Sequence, residues 1–376
     1  MDRKFIEKLG VSLPRLGYGC MRFPTNDNKI DFEYAKRLIH HAYNNGMNYF
    51  DTAYNYHGGE SETFLGQVLT EFKRESYYLT SKLPVWKVKA EGDAENLFNE
   101  QLKKCNTEYF DFYLLHSLNK KSIETVEKFN LYDFILQKKK EGKIKNIGFS
   151  FHDSNEVLKE FAAAHKWDFI QLQINYWDWE EDEAKSMYET LEKLDIPCLV
   201  MEPVRGGFLA SFAPHAMKRF KDYHPDKSIA SWALRWVASL PNVALILSGM
   251  SNMEQLQDNI ETFTDLKPIT DDEQKVIDEV IEDLRKINPI PCTGCRYCMD
   301  CQFGVDIPGV FGVYNDFKKS ENKDIALRSY FMFMSEKEQG GNCQQCGECI
   351  PKCPQQISIY EELEKIHTEM LSLKNM

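Results

Sequence analysis

The chain has 376 residues, 43% of them hydrophobic, and a formal net charge of −12, which allows one large domain with a substantial core and a second, small one. The acidity excludes a nucleic-acid groove, because phosphate binding rests on clustered Lys and Arg. No run approaches the ~18 consecutive apolar residues of a membrane span, and the first residues show no apolar signal-peptide core, so no membrane partner and a cytoplasmic location are expected.

In chain order, residues 5–9 and 11–13 flank Gly10 as a hairpin that would plug a barrel floor, with a frayed arm as the alternative. Short strand-like runs then alternate with amphipathic helical stretches, the pattern of a parallel sheet covered by helices. Strands are predicted at 16–19, 47–51, 78–82, 112–116, 144–150, 169–175, 198–202 and 244–247. Helices are predicted at 32–44, 61–73, 95–104, 123–140, 155–164, 181–193 and 228–238. Eight such repeats give an α/β fold, a (β/α)8 TIM barrel over 1–268. Lys138 to Lys140 form the one basic cluster and fall at an expected helix end, where cations complement the negative terminus. Thr270 reads as the N-cap of a charged helix over 271–286, closed by Asn288 to Pro291, within a helical linker at 269–290. A cysteine-rich module at 291–360, with a helical insert near 324–335, precedes a C-terminal helix at 361–376.

Eight of the eleven cysteines lie in that module: Cys292, Cys295, Cys298 and Cys301, then Cys343, Cys346, Cys349 and Cys353 followed by Pro354. The second run has the C-x2-C-x2-C-x3-C-P spacing at which three thiolates hold one cubane and the fourth reaches a neighbouring one. Two runs therefore imply two 4Fe–4S clusters in a small, mainly helical, ferredoxin-like domain. Zinc is the alternative, since paired C-x2-C motifs also build tetrahedral sites, but the middle cysteine of each run has no place in a two-plus-two clamp. Only two residues separate Cys298 from Cys301, and Gln302 stands where proline is expected, so which cluster Cys301 ligates stays open. Thiolate clusters suit a reducing compartment. Cys105 and Cys198 lie in apolar segments and read as small core hydrophobes.

Barrel enzymes place their chemistry at the C-terminal ends of the strands. There the sequence offers Asp51 in N-Y-F-D-T-A-Y-N-Y, Tyr56 five residues on, Lys82 ending L-T-S-K and His116 ending D-F-Y-L-L-H. Taken singly each has a structural explanation: a cap, a solvent-facing charge, a packed ring. Together they form an acid–base set in which a carboxylate holds an ammonium, the ammonium lowers a phenol's pKa and an imidazole positions a carbonyl oxygen.

The stretch 50–65, F-D-T-A-Y-N-Y-H-G-G-E-S-E-T-F-L, with Lys82, His116, G-F-S-F-H at 148–152 and P-V-R-G-G-F-L at 203–209, resembles the aldo-keto reductases. With the cysteine-rich tail it is similar to the subgroup carrying a C-terminal 4Fe–4S domain. The resemblance spans essentially the whole barrel and implies NAD(P)H-dependent, reversible reduction of an aldehyde or ketone to an alcohol. Tyr56 would be the general acid, Lys82, held by Asp51, would lower its pKa, and His116 would orient the carbonyl. The resemblance also implies carboxamide contacts from Ser150 and Gln171, with Met201 where an aromatic usually covers the nicotinamide. Pro203, Gly206, Gly207 and Leu209 would line the pyrophosphate, and Gly249, Ser251, Gln255 and Asn259 the adenosine end. Gly19 and Cys20, at the exit of the first strand, complete the cofactor contacts. Phe151 stands where many relatives have asparagine. Gln255 and Gly249 occupy positions where many place an arginine and some a lysine against a 2′-phosphate, which leaves NADPH and NADH both open.

Gln171, Gln173 and Asn175 share a strand parity and should all point into the barrel. A satisfied polar layer is the alternative for Gln173 and Asn175. Phe23, Trp86, Trp177 and Trp179 are candidates for a substrate pocket wall, with packing of the iron–sulfur module as the alternative. Three functions compete: a carbonyl reductase acting on a small molecule, a relay passing electrons from a pyridine nucleotide through the clusters to a redox partner protein, and a binding protein whose clusters are staples or oxygen sensors. No flavin-specific motif is present, and nothing in the pattern fixes an oligomeric state.

Overall fold

The computed structural model describes all residues except 28, 182, 288, 293, 300, 354 and 376; Asn288, expected to close the charged helix, and Pro354, which follows Cys353, therefore lie outside the described residues. The chain forms two compact units, residues 1–203 with 233–269 and residues 204–232 with 270–376. Of the barrel domain expected over 1–268, residues 204–232 group by contacts with the tail and the rest forms the first unit. The segment leaving the seventh strand belongs with the cysteine-rich tail, because its contacts go there.

The first unit is a closed parallel barrel. Its strands are β1 (Leu16–Gly19), β2 (Tyr49–Asp51), β3 (Tyr78–Leu83), β4 (Phe110–Leu118), β5 (Ile144–Phe151), β6 (Phe169–Gln173), β7 (Cys198–Met201) and β8 (Val243–Ser248). Each pairs with its sequence neighbour, and β8 closes on β1 through Ile246 opposite Leu16. The opening hairpin is a plug: Arg3–Ile6 pairs antiparallel with Val11–Pro14. Ile6 and Leu13 are buried in one apolar cluster with Tyr49, Phe112, Leu114, Phe169, Leu199 and Leu245, which come from five barrel strands. Burying side chains of this size contributes about 1.5–3 kcal/mol each, more than a frayed arm could forgo.

The predicted helix at 123–140 is two, Lys120–Lys128 and Leu131–Lys140. Asn130 between them has φ 51°, a left-handed conformation that asparagine tolerates and that ends a helix. Gly66 is required by packing: a Cβ there would lie 2.1 Å from the Lys104 carbonyl, so only glycine lets Glu60–Val68 meet the end of Asp93–Lys104.

In the second unit Asp271–Lys286 starts at a reciprocal capping box between Thr270 and Glu273, and Arg219 of Pro214–Tyr223 is paired with Asp283 and Glu279 at 2.5 Å. The helix Ile307–Ser320 was not read from the sequence. Gly309 and Gly312 lower its propensity, and it forms because Val310, Phe311 and Tyr314 bury one face with Tyr330, Leu363, Ile366 and Met370. The predicted insert is the short helix Lys323–Arg328 running into a π-turn at Ser329–Phe333, and the terminal helix is Ile359–Asn375. Among the described residues no helix is long and apolar enough to cross a membrane.

Candidate active site and cysteine cavities

Asp51 ends β2, Lys82 is the penultimate residue of β3, His116 lies near the end of β4, and Tyr56 opens the turn Tyr56–Gly59 that follows β2. The four expected residues are brought together. Lys82 Nζ donates to Asp51 Oδ1 at 2.5 Å, to the Thr52 carbonyl at 2.8 Å and to Tyr56 Oη at 3.3 Å. Lys82 and Asp51 are 1% and 3% exposed, a depth at which an ammonium persists only when its donors are taken. Burial works against the Lys82 charge, but Asp51 and Tyr56 outweigh it and hold the ammonium above its ordinary pKa.

For Tyr56 burial is the larger influence and lifts the phenol above its ordinary value, while Lys82 pulls it down. The expected lowering by Lys82 is thus present as a contribution but exceeded by burial, and the free site holds a protonated phenol. His116 sits where the β4–β5 register shifts, between Leu115 and Leu118, and Ser117 beside it has φ 56°. Such a bulge re-aims a side chain. The His116 ring lies 6.1 Å from that of Tyr56 and 5.1 Å from that of Trp86. Burial, then the charge of Lys82, depresses the imidazole well below its ordinary value, so His116 is neutral.

Around this set the expected cofactor residues divide. Ser150 Oγ accepts the Ser117 N–H at 2.8 Å, which leaves its own hydrogen to give. Gln171 is 2% exposed and its amide oxygen has no hydrogen-bond partner. An orphaned buried acceptor beside a hydroxyl donor fits a primary carboxamide, which needs one of each. Gln173 and Asn175 are satisfied instead: both amides donate to Asp178 at 2.7 Å, and Asn175 also bonds the Glu202 carbonyl. Met201 at the end of β7 is half-buried, and Pro203 follows it.

Cys20 is corrected. It is 0% exposed, its thiol faces the Tyr18 carbonyl, its N–H donates to Asp51 and its carbonyl accepts from Ser61. It is a packing residue, while its neighbour Gly19 remains half-exposed. Leu209 is corrected on the same ground, being 0% exposed. It lies with Gly206 and Gly207 in the second unit.

At the exit of β8 the Ser251 N–H donates to Gln255 Oε1 at 2.8 Å and the Ser251 hydroxyl to the Arg22 carbonyl at 2.8 Å, while Asn259 bonds Ser248. Arg22 was missed in the sequence. Its stem lies 3.3 Å from where a Gly249 Cβ would be, and its guanidinium is 3.5 Å from Glu202. Its position three residues beyond the end of β1 was the available signal. Of the four aromatics, Trp86 alone is exposed, at 41%, and faces His116. Phe23 packs on Tyr18 and Phe64, Trp177 is buried, and Trp179 packs on Tyr188 and Trp236.

In the second unit the thiols line two cavities. Cys292, Cys295, Cys298 and Cys353 line one. Cys301, Cys343, Cys346 and Cys349 line the other, with Cys298 also on its wall. Each run thus sends its fourth cysteine to the other's cavity. Among the described residues no three His, Cys, Asp or Glu side chains close on a single-ion point. Four thiols spread around an apolar cavity fit a cubane better than a zinc tetrahedron. Burial pushes the Cys298 thiol up to about 11, so its thiolate depends on a bound metal.

Comparison with known proteins agrees with both halves. Residues 15–282 match the aldo/keto reductase family and residues 291–359 the 4Fe-4S dicluster domain. The chain is similar to the uncharacterized oxidoreductase YqkF of Bacillus subtilis, 27% identical over 304 residues, covering 72% of this chain and 94% of the relative. It is also similar to the NADH-specific methylglyoxal reductase of Escherichia coli, 26% identical over 299 residues, covering 66% and 90%. Among solved structures, aldo-keto reductase AKR11C1 from Bacillus halodurans in its holo form superimposes with a TM-score of 0.61 at 23% identity, covering 74% of this chain and 96% of that one.

Proposed function

We propose, for a chain that belongs to the aldo/keto reductase family and carries a 4Fe-4S dicluster domain, that it reduces an aldehyde or ketone to an alcohol with NAD(P)H and holds two 4Fe–4S clusters. The observation that carries this reading is the buried ammonium of Lys82, shared between Asp51 at 2.5 Å and the Tyr56 hydroxyl at 3.3 Å. A reduced nicotinamide supplies the hydride when bound.

The rest falls to the chain's own residues. Tyr56 gives its proton to the substrate's oxygen as that oxygen gains charge, and Lys82 stabilises the phenolate left behind. Asp51 keeps Lys82 charged and fixed. Neutral His116 donates its one N–H to the same oxygen and orients it. Gln171 and Ser150 would hold the carboxamide, and the backbone at Gly206 and Gly207 would admit the pyrophosphate. Gly249 and Gln255 present no cation to a 2′-phosphate. Trp86 would wall the substrate. Iron–sulfur clusters supply one-electron chemistry, and the eight cysteines would hold them in the crossed sets described above.

Turnover tests this reading. Protein purified anaerobically with full iron and sulfide should oxidise NADPH or NADH in the presence of some member of an aldehyde and ketone panel; a folded, cluster-loaded preparation silent with both nucleotides would defeat it. The relay is the second reading, favoured by the exposure of one cysteine in each set, Cys295 and Cys346. Hydride carries two electrons and a cubane one, so a flavin or a partner's cofactor would have to split the pair. Bleaching of cluster absorbance on rapid mixing with NADPH would favour the relay, and an unchanged spectrum the reductase.

The pH profile follows from the same groups. Reduction needs the protonated phenol, and Tyr56 is raised, so the acid form persists through neutrality and beyond. His116 is depressed and does not gain charge near its ordinary value. The rate of the reduction step should therefore be flat through neutrality, from the ordinary imidazole range upward, and fall only above the ordinary phenol range. A single-turnover rate titrating near pH 7 would contradict this assignment of acid and imidazole.

A further inference from the structure

Simple hydride transfer gives the cysteine module no task, yet one helix in the second unit connects that module to the glycine-rich loop after β7. The first half of Ile307–Ser320 lines the cysteine cavities: Ile307 faces one, Pro308 and Phe311 the other. About 7.5 Å further along the axis, Asp316 accepts the Arg205 guanidinium at 2.7 Å. At the helix end the Lys319 carbonyl accepts the Ala213 N–H at 2.8 Å. Just beyond, the Ile325 side chain lies 3.4 Å from where a Gly207 Cβ would be.

The loop held this way is left-handed at three consecutive residues, Arg205, Gly206 and Gly207, with φ of 46°, 64° and 102°. Arg205 also lies over the Phe208 ring at 5.4 Å. A non-glycine residue in that conformation is unfavourable and persists only where its surroundings hold it. The ion pair is one-third exposed on each side, so its contribution to global stability is small.

We propose that Asp316 is a positioning residue that sets the 204–210 loop through Arg205, so that order in the loop, and with it affinity for the pyridine nucleotide, depends on whether the cysteine module is loaded with its clusters. The nucleotide part rests on the reductase reading above. A chain that loses its clusters to oxygen would release its nucleotide as a consequence.

Two readouts on the full-length protein test the proposal and separate its failure from that of the reductase reading. Hydrogen exchange across 204–213 is compared in cluster-loaded wild type, Asp316→Ala, Asp316→Glu and chelator-stripped wild type. Dissociation constants for NADPH and NADH are measured on the same samples by nicotinamide fluorescence. Expected are faster exchange in the stripped protein and in Asp316→Ala at unchanged iron and sulfide content, recovery in Asp316→Glu, and a rise of about tenfold in the dissociation constant. Stripping Asp316→Ala should add less than stripping wild type, since the Arg205 contact is already lost. Unchanged exchange in fully loaded Asp316→Ala overturns the proposal, as does faster exchange with unchanged affinity. If loaded wild type binds neither nucleotide, the reductase reading falls, and exchange alone decides the link between Asp316 and the loop.

Discussion

Replacing Tyr56 with Phe is expected to lower the rate of carbonyl reduction about 10²- to 10⁴-fold, the range supplied by a positioned general acid, while nucleotide binding stays within about twofold. The substitution removes one atom. That atom is the only one of the three acceptors of Lys82 that is not needed to hold it, because Asp51 at 2.5 Å and the Thr52 carbonyl at 2.8 Å remain. The fold should therefore survive, with clusters loaded and melting unchanged. Substituting Lys82 is a poorer probe. It would leave Asp51, 3% exposed, as an unpaired buried carboxylate, a change that costs about 3–5 kcal/mol and mixes lost catalysis with lost stability. Single-turnover measurement on Tyr56→Phe isolates the proton. A variant that reduces as fast as wild type would assign the acid elsewhere.

The crossed cavities make the second large effect specific. In Cys353→Ser about half the iron should be lost, and it should be the cluster held by the first run, because Cys353 lines the cavity of Cys292, Cys295 and Cys298. Double substitutions separate this from an uncrossed arrangement. Cys353→Ser with Cys295→Ser should retain about half the iron, since both remove ligands from one cavity. Cys353→Ser with Cys346→Ser should retain little, since Cys346 lines the other. Iron and sulfide quantitation on anaerobic samples reads both, and the reverse pattern would show that each run holds its own cluster.

Much of this was legible in the sequence because it is local. The barrel strands carry their signal in short apolar runs, and Asp51, Lys82 and His116 sit at or near strand ends that can be counted off. Cysteine spacing indicated cubanes but could not fix ligand partition: Cys301 has a spacing compatible with either cluster, and only the folded chain places it with Cys343, Cys346 and Cys349. What was missed is long-range or a matter of degree. Resemblance assigns a position but not its burial, hence the misplaced roles of Cys20 and Leu209, both fully enclosed. Two glycines hid the helix Ile307–Ser320, whose apolar face has meaning only against Ile359–Asn375. The grouping of 204–232 with the tail comes from contacts between residues far apart in the chain, such as Arg205 with Asp316, 111 residues on, which no periodicity reveals. Lys82 does act on Tyr56 as expected, but the sign of the net shift is set by enclosure of the phenol, a property of the folded rim.

In the proposed reaction a hydride reaches a carbonyl carbon at this rim while Tyr56 protonates the oxygen. It is tested most directly by anaerobic incubation of cluster-loaded protein with NADPH and NADH deuterated at the transferable position, together with an aldehyde and ketone panel. Mass spectrometry of the alcohols should find one deuterium at the former carbonyl carbon, formed by wild type and far more slowly by Tyr56→Phe. Alcohol free of deuterium, or nucleotide oxidation whose electrons appear only in bleached clusters, would overturn the reductase reading.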